Sequence, residues 1–209
     1  MIKAVIFDLD WTLTKFTWDF KFILKSAFEK YEIILSDENM TIILACFGQR
    51  INNPWRYNTI DIFTDIFQKI WLNLQKLHNI MNDFIVNYIS YIDILDKEIY
   101  KLLENLQRSY KLWIVSNWPS DLQRLSIQKA WLEKYFDEIV ISWDINIWIN
   151  KPNKEIFEKM NSRLKEKNWD IIMVWDSFEK DIKPAQELWL QTLLVGEKTL
   201  LDYKKDLVI

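Results

Sequence analysis

Short apolar runs that alternate with helical patterns are the feature that most limits the fold of this 209-residue chain. Five runs are rich in Val and Ile and too short to indicate helices: Lys3–Phe7, Leu112–Val115, Glu138–Ile141, Ile171–Val174 and Thr192–Val195. From the second run onward they alternate with helical patterns over Lys97–Ser109, Ser120–Lys134, Lys154–Lys167 and Glu179–Leu188. This alternation predicts an α/β fold, with a parallel sheet of about five strands flanked by helices.

A long segment after the first strand interrupts the alternation. Residues 15–96 are rich in Phe, Ile and Tyr. Their apolar residues recur three and four positions apart, as in amphipathic helices: Phe20, Ile23, Leu24 and Ala27, then Phe63, Ile66, Phe67 and Ile70. We expect an all-helical cap over residues 15–96, inserted into a Rossmann-like catalytic core formed by residues 1–14 and 97–209.

Polar side chains follow the predicted strands, where the carboxyl ends of a parallel sheet bind ligands. They lie in four separate segments: Asp8 and Asp10, Ser116 and Asn117, Lys151, and Asp176 with Asp181. A solvated turn at Asp8, or helix capping by Asp176, is the plainer interpretation of any single member. The convergence of four segments on one edge of the sheet favours a functional site.

Phosphoryl transfer is the chemistry that suits this set. Clustered carboxylates repel one another unless a cation neutralises them. Oxygen ligands without a convergent His or Cys favour a hard metal ion, Mg²⁺ before Ca²⁺. A carboxylate can attack phosphorus while a second acid protonates the leaving oxygen. Asp8 and Asp10 are placed to divide these two roles, with Lys151 to neutralise the phosphoryl oxygens.

The motifs resemble those of the haloacid dehalogenase superfamily. They are Asp8-Leu9-Asp10-x-Thr12-Leu13-Thr14, Ser116-Asn117, Lys151-Pro152 and x-Asp176-Ser177-x-x-x-Asp181, in this order. The likeness spans residues 2–196, and a helical insert after the first motif is similar to the cap of the phosphatase branches.

The resemblance implies a role for each matched residue. Asp8 would be the nucleophile, and Asp10 the general acid and then the general base. Ser116, with Asn117 beside it, and Lys151 would bind the phosphoryl group. Mg²⁺ would be held by the carboxylates of Asp8 and Asp176 and the backbone carbonyl of Asp10, with Asp181 supporting the metal site.

Tryptophan and glycine occur in unusual numbers, twelve and two. Average glycine usage of about 7% predicts roughly 15 glycines, close to the two types combined. Eight tryptophans fall where the resembled family has glycine: Trp11, Trp113, Trp118, Trp131, Trp143, Trp148, Trp175 and Trp189. This favours a codon read here as tryptophan and in the cell as glycine, although a genuinely Trp-rich chain is the alternative. Trp18, Trp55, Trp71 and Trp169 match no motif and are compatible with genuine tryptophans.

These observations predict a Mg²⁺-dependent phosphatase that acts on a small phosphorylated metabolite through an aspartyl-phosphate. The alternatives are a sugar-phosphate mutase of the same superfamily and, if the tryptophans are genuine, a catalytically inactive binding protein. Scattered basic residues and a net charge of −3 do not favour nucleic-acid binding. The longest apolar runs are too short for a membrane span. A single cysteine, Cys46, fits a cytoplasmic location, and the oligomeric state stays open.

Overall fold

Five of the seven strands in the described part of the chain form one parallel sheet. The computed structural model describes residues 1–48, 58–144, 147, 149–195, 200–203 and 207. Its strands are β1 (Ala4–Phe7), β2 (Thr14–Phe16), β3 (Ile92–Ile94), β4 (Lys111–Ser116), β5 (Glu138–Ile141), β6 (Ile171–Trp175) and β7 (Gln191–Leu194). The sheet order is β5-β4-β1-β6-β7, and every neighbouring pair is parallel. The predicted α/β fold and its five core strands are therefore confirmed.

The described helices follow the predicted alternation. They are α1 (Phe20–Glu29), α2 (Asp37–Gly48), α3 (Thr59–Lys69), α4 (Leu77–Ser90), α5 (Glu98–Leu106), α6 (Ser120–Lys129), α7 (Lys154–Leu164) and α8 (Lys183–Glu187). Helix α8 is preceded by one wide turn of π-helix over Phe178–Ile182. In the part of the chain that the structure describes, no helix combines the length and hydropathy that crossing a bilayer requires.

Alternate residues of β1 face two different hydrophobic cores. Val5 and Phe7 pack on the side that contains α5, whereas Ala4 and Ile6 pack on the side that contains α7 and α8. All four are fully buried. Because helices cover both faces of the sheet, the side chains on both sides of β1 must be apolar. This explains why polar and apolar residues do not alternate along this strand.

The segment between β1 and α5 has a hydrophobic core of its own. Helices α1–α4 bury Phe28, Phe63 and Phe84 together, and the stacked rings of Phe28 and Phe63 have centroids 6.2 Å apart. The expectation of an all-helical segment was incomplete, because β2 and β3 pair antiparallel at its two ends. The boundary predicted between residues 14 and 15 falls inside β2. Three-residue strands are too short to give a recognisable sequence pattern.

A polar contact joins these helices to the α/β core. The Asp121 carboxylate of α6 accepts hydrogen bonds from the Thr59 backbone N–H at 3.0 Å and from the Thr59 hydroxyl at 3.0 Å. Thr59 is the first residue of α3, so Asp121 satisfies a backbone donor at a helix N-terminus. Leu122 of the core also packs within the hydrophobic core of the insert. These contacts fix the position of the helices over the carboxyl end of the sheet.

Five tryptophans adopt a backbone conformation that favours glycine. Of the seven described non-glycine residues with positive φ, the five are Trp11 (63°), Trp71 (58°), Trp118 (134°), Trp131 (53°) and Trp189 (63°). For residues with a Cβ this region costs roughly 1–2 kcal/mol. Trp71, which matches no motif, adopts this conformation as well. Trp113, Trp143 and Trp175 have no such φ and are buried, whereas Trp55 and Trp148 lie outside the described residues.

Three of these tryptophans end helices in the same way. Trp71, Trp131 and Trp189 each lie two residues after the last residue of α3, α6 or α8. In each case the backbone N–H of the next residue donates a hydrogen bond to the carbonyl five positions earlier. The pairs are Leu72 to Phe67 (2.8 Å), Leu132 to Ile127 (3.0 Å) and Leu190 to Ala185 (3.1 Å). This is the Schellman motif, in which glycine is the usual residue at the left-handed position. These three tryptophans are 92%, 76% and 81% exposed.

Candidate active site

All seven predicted site residues line one small cavity at the carboxyl end of the sheet. This polar cavity has a volume of about 180 Å³ and is lined by Asp8, Asp10, Trp11, Ser116, Asn117, Lys151, Asp176, Ser177 and Asp181. The residues come from the ends of β1, β4 and β6, from the loop before α7, and from the π-turn before α8. The three central strands of the sheet therefore deliver their terminal side chains to the same point, as expected for ligand binding in this class of sheet.

Lys151 is the cation at the centre of the cavity. Its ammonium lies 2.9 Å from Asp8 Oδ1 and 3.0 Å from Asp181 Oδ1, and it donates to the Val115 carbonyl at 3.3 Å. The side chain is only 3% exposed. Burial alone lowers the pKa of Lys151, but the charges of Asp8 and Asp181 outweigh it and raise the pKa. Lys151 therefore stays cationic and partly neutralises the acids around it.

Three carboxylates form a cluster that suits a divalent cation. Oxygen atoms from Asp8, Asp176 and Asp181 all lie within 4.8 Å of one another. Burial and then the neighbouring Asp8 charge raise the pKa of Asp176. Burial is also the main cause that raises the pKa of Asp181, to about 6. A buried set of hard oxygen donors with raised pKa values fits Mg²⁺, which binds through carboxylates and water.

The Asp10 carboxylate lies outside this cluster and faces a different set of groups. It accepts a hydrogen bond from Gln123 Nε2 at 2.7 Å and one from the Thr14 hydroxyl at 3.4 Å. Burial, and then the Asp8 charge, raise the pKa of Asp10 to about 6. A carboxyl group with this pKa can hold a proton and release it near neutral pH, which is the property required of a general acid and base.

Gln123 is a site residue that the sequence analysis missed. It is fully buried on α6 and also donates to the Ser116 hydroxyl at 3.2 Å and to the Asn117 carbonyl at 3.0 Å. The available signal was a glutamine four residues before Ile127, a spacing that places both residues on one face of a helix. A buried amide requires polar partners, and here they are groups of the site.

Asn117 holds the Lys151 loop in place through two hydrogen bonds. Its Nδ2 donates to the Lys151 carbonyl at 3.0 Å, and its Oδ1 accepts from the Lys151 backbone N–H at 2.9 Å. The neighbouring Ser116 is buried and its hydroxyl donates to the Asn117 carbonyl at 3.2 Å. The Lys151 ammonium also lies 3.8 Å from the ring centroid of Trp175, whose indole is wholly buried. This cation–π contact was not foreseen.

A second, larger cavity adjoins the first. This aromatic cavity has a volume of about 530 Å³ and is lined by Asp10, Trp11, Phe16, Trp18, Phe20, Tyr88 and Trp118. Asp10 and Trp11 line both cavities. Burial, followed by the Asp10 charge, raises the pKa of Tyr88 well above its ordinary value, so its hydroxyl stays protonated at neutral pH. The aromatic cavity thus lies between aromatic residues of the insert and Asp10.

Comparison with known proteins agrees with this geometry. The family model for haloacid dehalogenase-like hydrolases matches residues 5–195. The pyrimidine 5′-nucleotidase of Escherichia coli is 26% identical over 85% of this chain and 79% of its own length. The glyceraldehyde 3-phosphate phosphatase of Methanocaldococcus jannaschii is 24% identical over 99% of this chain and 90% of its own.

A solved structure shares the fold over almost the whole chain. It is a family enzyme of Bacteroides thetaiotaomicron in complex with magnesium and inorganic phosphate, with a TM-score of 0.71 and 18% identity. The match covers 96% of this chain and 98% of the other. The match to the family model, over residues 5–195, includes all the site residues and all five strands of the sheet apart from Ala4, the first residue of β1. This chain belongs to the haloacid dehalogenase-like hydrolase family.

Proposed function

We propose that this hydrolase is a Mg²⁺-dependent phosphatase that cleaves small phosphate monoesters through an aspartyl-phosphate. The observation that carries the proposal is the pairing of Asp8 with Lys151, next to a second acid, Asp10, held by Gln123. Both named relatives release phosphate from small molecules according to their names, a nucleotide in one and a triose phosphate in the other. The cytoplasm is the proposed location, because a chain with one cysteine cannot form an internal disulfide.

The chain's own residues supply the two chemical steps. In the first, an Asp8 oxygen bonds to phosphorus, the bond to the leaving alcohol breaks, and the Asp10 proton goes to the alcohol oxygen. In the second, water attacks phosphorus, Asp10 takes its proton, and the Asp8 carboxylate is released with inorganic phosphate. Lys151 and Ser116 bind the phosphoryl oxygens. The Asn117 side chain positions Lys151 by hydrogen bonding to the Lys151 backbone.

The acidic cluster is the proposed place of the metal ion. Asp8 and Asp176 would hold Mg²⁺ with the backbone carbonyl of Asp10, and Asp181 would support the site beside Lys151. The ion would reduce the repulsion between the phosphoryl group and the Asp8 carboxylate. Residues 15–96 would act as a cap that excludes water from the cavities, with residues 1–14 and 97–209 as the catalytic core.

We also propose that the cell places glycine at positions 11, 71, 118, 131 and 189. The support is the positive φ of all five residues and the Schellman motif at three of them. At Trp11 and Trp118 the exchange would also widen the site, since both indoles line the aromatic cavity. Peptide mass spectrometry of the protein isolated from its own cells tests this. Glycine at these positions is expected, and tryptophan at all five would overturn the proposal.

The phosphatase proposal is tested by phosphate release from a panel of small monoesters. The protein should be prepared both as the present sequence and with glycine at the five positions. We expect release that requires Mg²⁺ and stops with a chelator, faster in the glycine form. Activity without a divalent ion contradicts the proposal. Interconversion of sugar phosphates without net release would indicate a mutase instead.

A further inference from the structure

The two cavities meet at Asp10, and this junction carries information about the substrate. We propose that the aromatic cavity receives the leaving alcohol and selects phosphate monoesters whose alcohol bears a planar aromatic ring. The inference rests on the proposed phosphatase function, because it assigns the position of the leaving group in that reaction. It concerns the insert residues Phe16, Trp18, Phe20 and Tyr88, none of which takes part in the chemistry.

The position of Asp10 decides where the leaving group lies. The acid that protonates the leaving oxygen must be within hydrogen-bond reach of it. Asp10 lines both cavities, with Asp8 and Lys151 on the polar side. The polar cavity of about 180 Å³ is below the usual size of a ligand pocket, roughly 300–1,000 Å³. It therefore suits a phosphoryl group alone, and the alcohol extends from Asp10 into the cavity of about 530 Å³.

The lining of the aromatic cavity favours a planar ring. The rings of Phe16 and Tyr88 pack with centroids 4.6 Å apart, and Phe20 meets Tyr88 edge-on at 6.2 Å. These contacts hold the aromatic wall in place. Trp18 is 52% exposed and stacks on Tyr91 with an interplanar angle of 17°, which fixes the indole at the cavity. Aromatic faces stack favourably on planar rings, whereas a polyol gains little binding energy from them.

The charge of the cavity argues against an anionic leaving group. Among the described residues that line it, Asp10 carries the single charge, and that charge is negative. The faces of aromatic rings are also electron-rich. A second phosphate or a carboxylate on the alcohol would meet no cation here. The matching alcohol is therefore neutral as well as planar.

The inference does not depend on the identity of residues 11 and 118. If both are glycine, the cavity becomes wider and loses two indoles. The four insert residues remain. Phe16 in β2, Phe20 in α1 and Tyr88 in α4 pack with the insert core, and Trp18, in the loop between β2 and α1, stacks on Tyr91. The proposed selection comes from the insert.

The test compares three monoesters of alcohols with similar leaving ability in the presence of Mg²⁺. Benzyl phosphate has a planar ring, cyclohexylmethyl phosphate has a ring of similar size that is not planar, and glycerol 3-phosphate is a small polyol ester. We expect kcat/KM for benzyl phosphate to exceed that for cyclohexylmethyl phosphate by about threefold to tenfold, since one good aromatic contact gives this much. Glycerol 3-phosphate should be the poorest substrate.

Two cavity variants and one matched control complete the experiment. Trp18→Leu and Phe16→Leu should each move the ratio of benzyl to cyclohexylmethyl phosphate toward one. Trp169→Leu should leave it unchanged, because Trp169 is exposed and precedes β6, at the opposite end of that strand from the site. Melting temperatures check that each variant folds.

The failures are distinguishable. Absence of Mg²⁺-dependent release from every ester overturns the proposed phosphatase function, and the inference with it. Hydrolysis with a ratio near one in the parent protein, or a preference for glycerol 3-phosphate, overturns the inference alone. A benzyl preference that survives both cavity variants also overturns it, because the selecting contacts would then lie elsewhere.

Discussion

The polar and aromatic cavities share a wall but differ in size, chemistry and origin. The polar cavity measures about 180 Å³ and is built by loops at the ends of three core strands. The aromatic cavity measures about 530 Å³ and is built largely by the insert. The first can bind and transfer a phosphoryl group, whereas the second contacts whatever is attached to it. Under the proposed function, the core determines the reaction and the insert determines which substrates fit.

The largest expected effect belongs to the polar cavity. Asp8→Asn should lower kcat by at least about a thousandfold for every substrate, because an amide is not a nucleophile toward phosphorus. Steady-state phosphate release measures it. Asp19→Asn is the matched control, since Asp19 caps α1 by accepting from the Lys21 N–H at 2.8 Å and asparagine caps equally well. An Asp8→Asn variant as active as this control would remove the nucleophile from the account.

The next largest effect concerns Gln123, which hydrogen-bonds to Asp10, a residue that lines both cavities. Gln123→Leu removes the 2.7 Å hydrogen bond to Asp10 and two further donations to the site. Hydrogen bonds to charged groups contribute about 1.5–3 kcal/mol, so kcat should fall by roughly tenfold to a hundredfold. Gln128→Leu, on the exposed face of the same helix, should leave kcat unchanged. Equal rates for the two variants would show that Gln123 does not position Asp10.

A smaller effect concerns Trp11, which lines both cavities. Trp11 has a φ of 63° and is 57% exposed, so its replacement tests the backbone rather than packing. Trp11→Gly should be more stable than Trp11→Ala by about 0.5–1 kcal/mol, because alanine retains the Cβ that disfavours this conformation. Denaturant unfolding measures the difference. Equal stability, or a more stable alanine variant, would argue against glycine at this position.

The smallest effect concerns the contact that holds the insert over the core. Burial raises the pKa of Asp121, so its ionised form is less favourable in the folded chain than in the unfolded one. Its contribution to the free energy of unfolding therefore falls as pH rises from the ordinary value of 3.8 through the raised one, and is constant above. Asp121→Asn keeps an acceptor for Thr59 and removes this titration. The stability of the variant relative to the parent should rise across that window and then level off. A relative stability that is constant with pH, or that falls, would contradict the role given to burial.

The polar cavity was predictable because its residues follow apolar strands. Once the sheet is parallel, the residues after β1, β4 and β6 must meet at one edge, and Asp8, Ser116 and Asp176 do so. Gln123 was missed because its partner Asp10 is 113 positions away and no pattern relates the two. The aromatic cavity depends on how the insert packs on the core, which residue spacing does not specify. Its ring contacts follow only from the tertiary structure.

Trp131 also explains why one helix end was misplaced. The helix predicted over Ser120–Lys134 ends at Lys129, and Trp131 takes the left-handed position that stops it. A glycine there would have been read as a stop signal, whereas tryptophan continues the apolar pattern. At Trp189 the prediction was close, since the predicted helix end at Leu188 is one residue beyond the end of α8.

The central claim is that Asp8 carries the phosphoryl group while Asp10 moves the proton. The most direct measurement uses the Asp10→Asn variant, with glycine at the five positions, and p-nitrophenyl phosphate, whose leaving group needs no acid. Without the base for the second step, the account predicts a rapid burst of about one nitrophenolate per active site in the presence of Mg²⁺. Borohydride reduction of the quenched protein should then convert Asp8, identified by peptide mass spectrometry, to homoserine. Linear release without a burst, or modification of another carboxylate, would contradict the account.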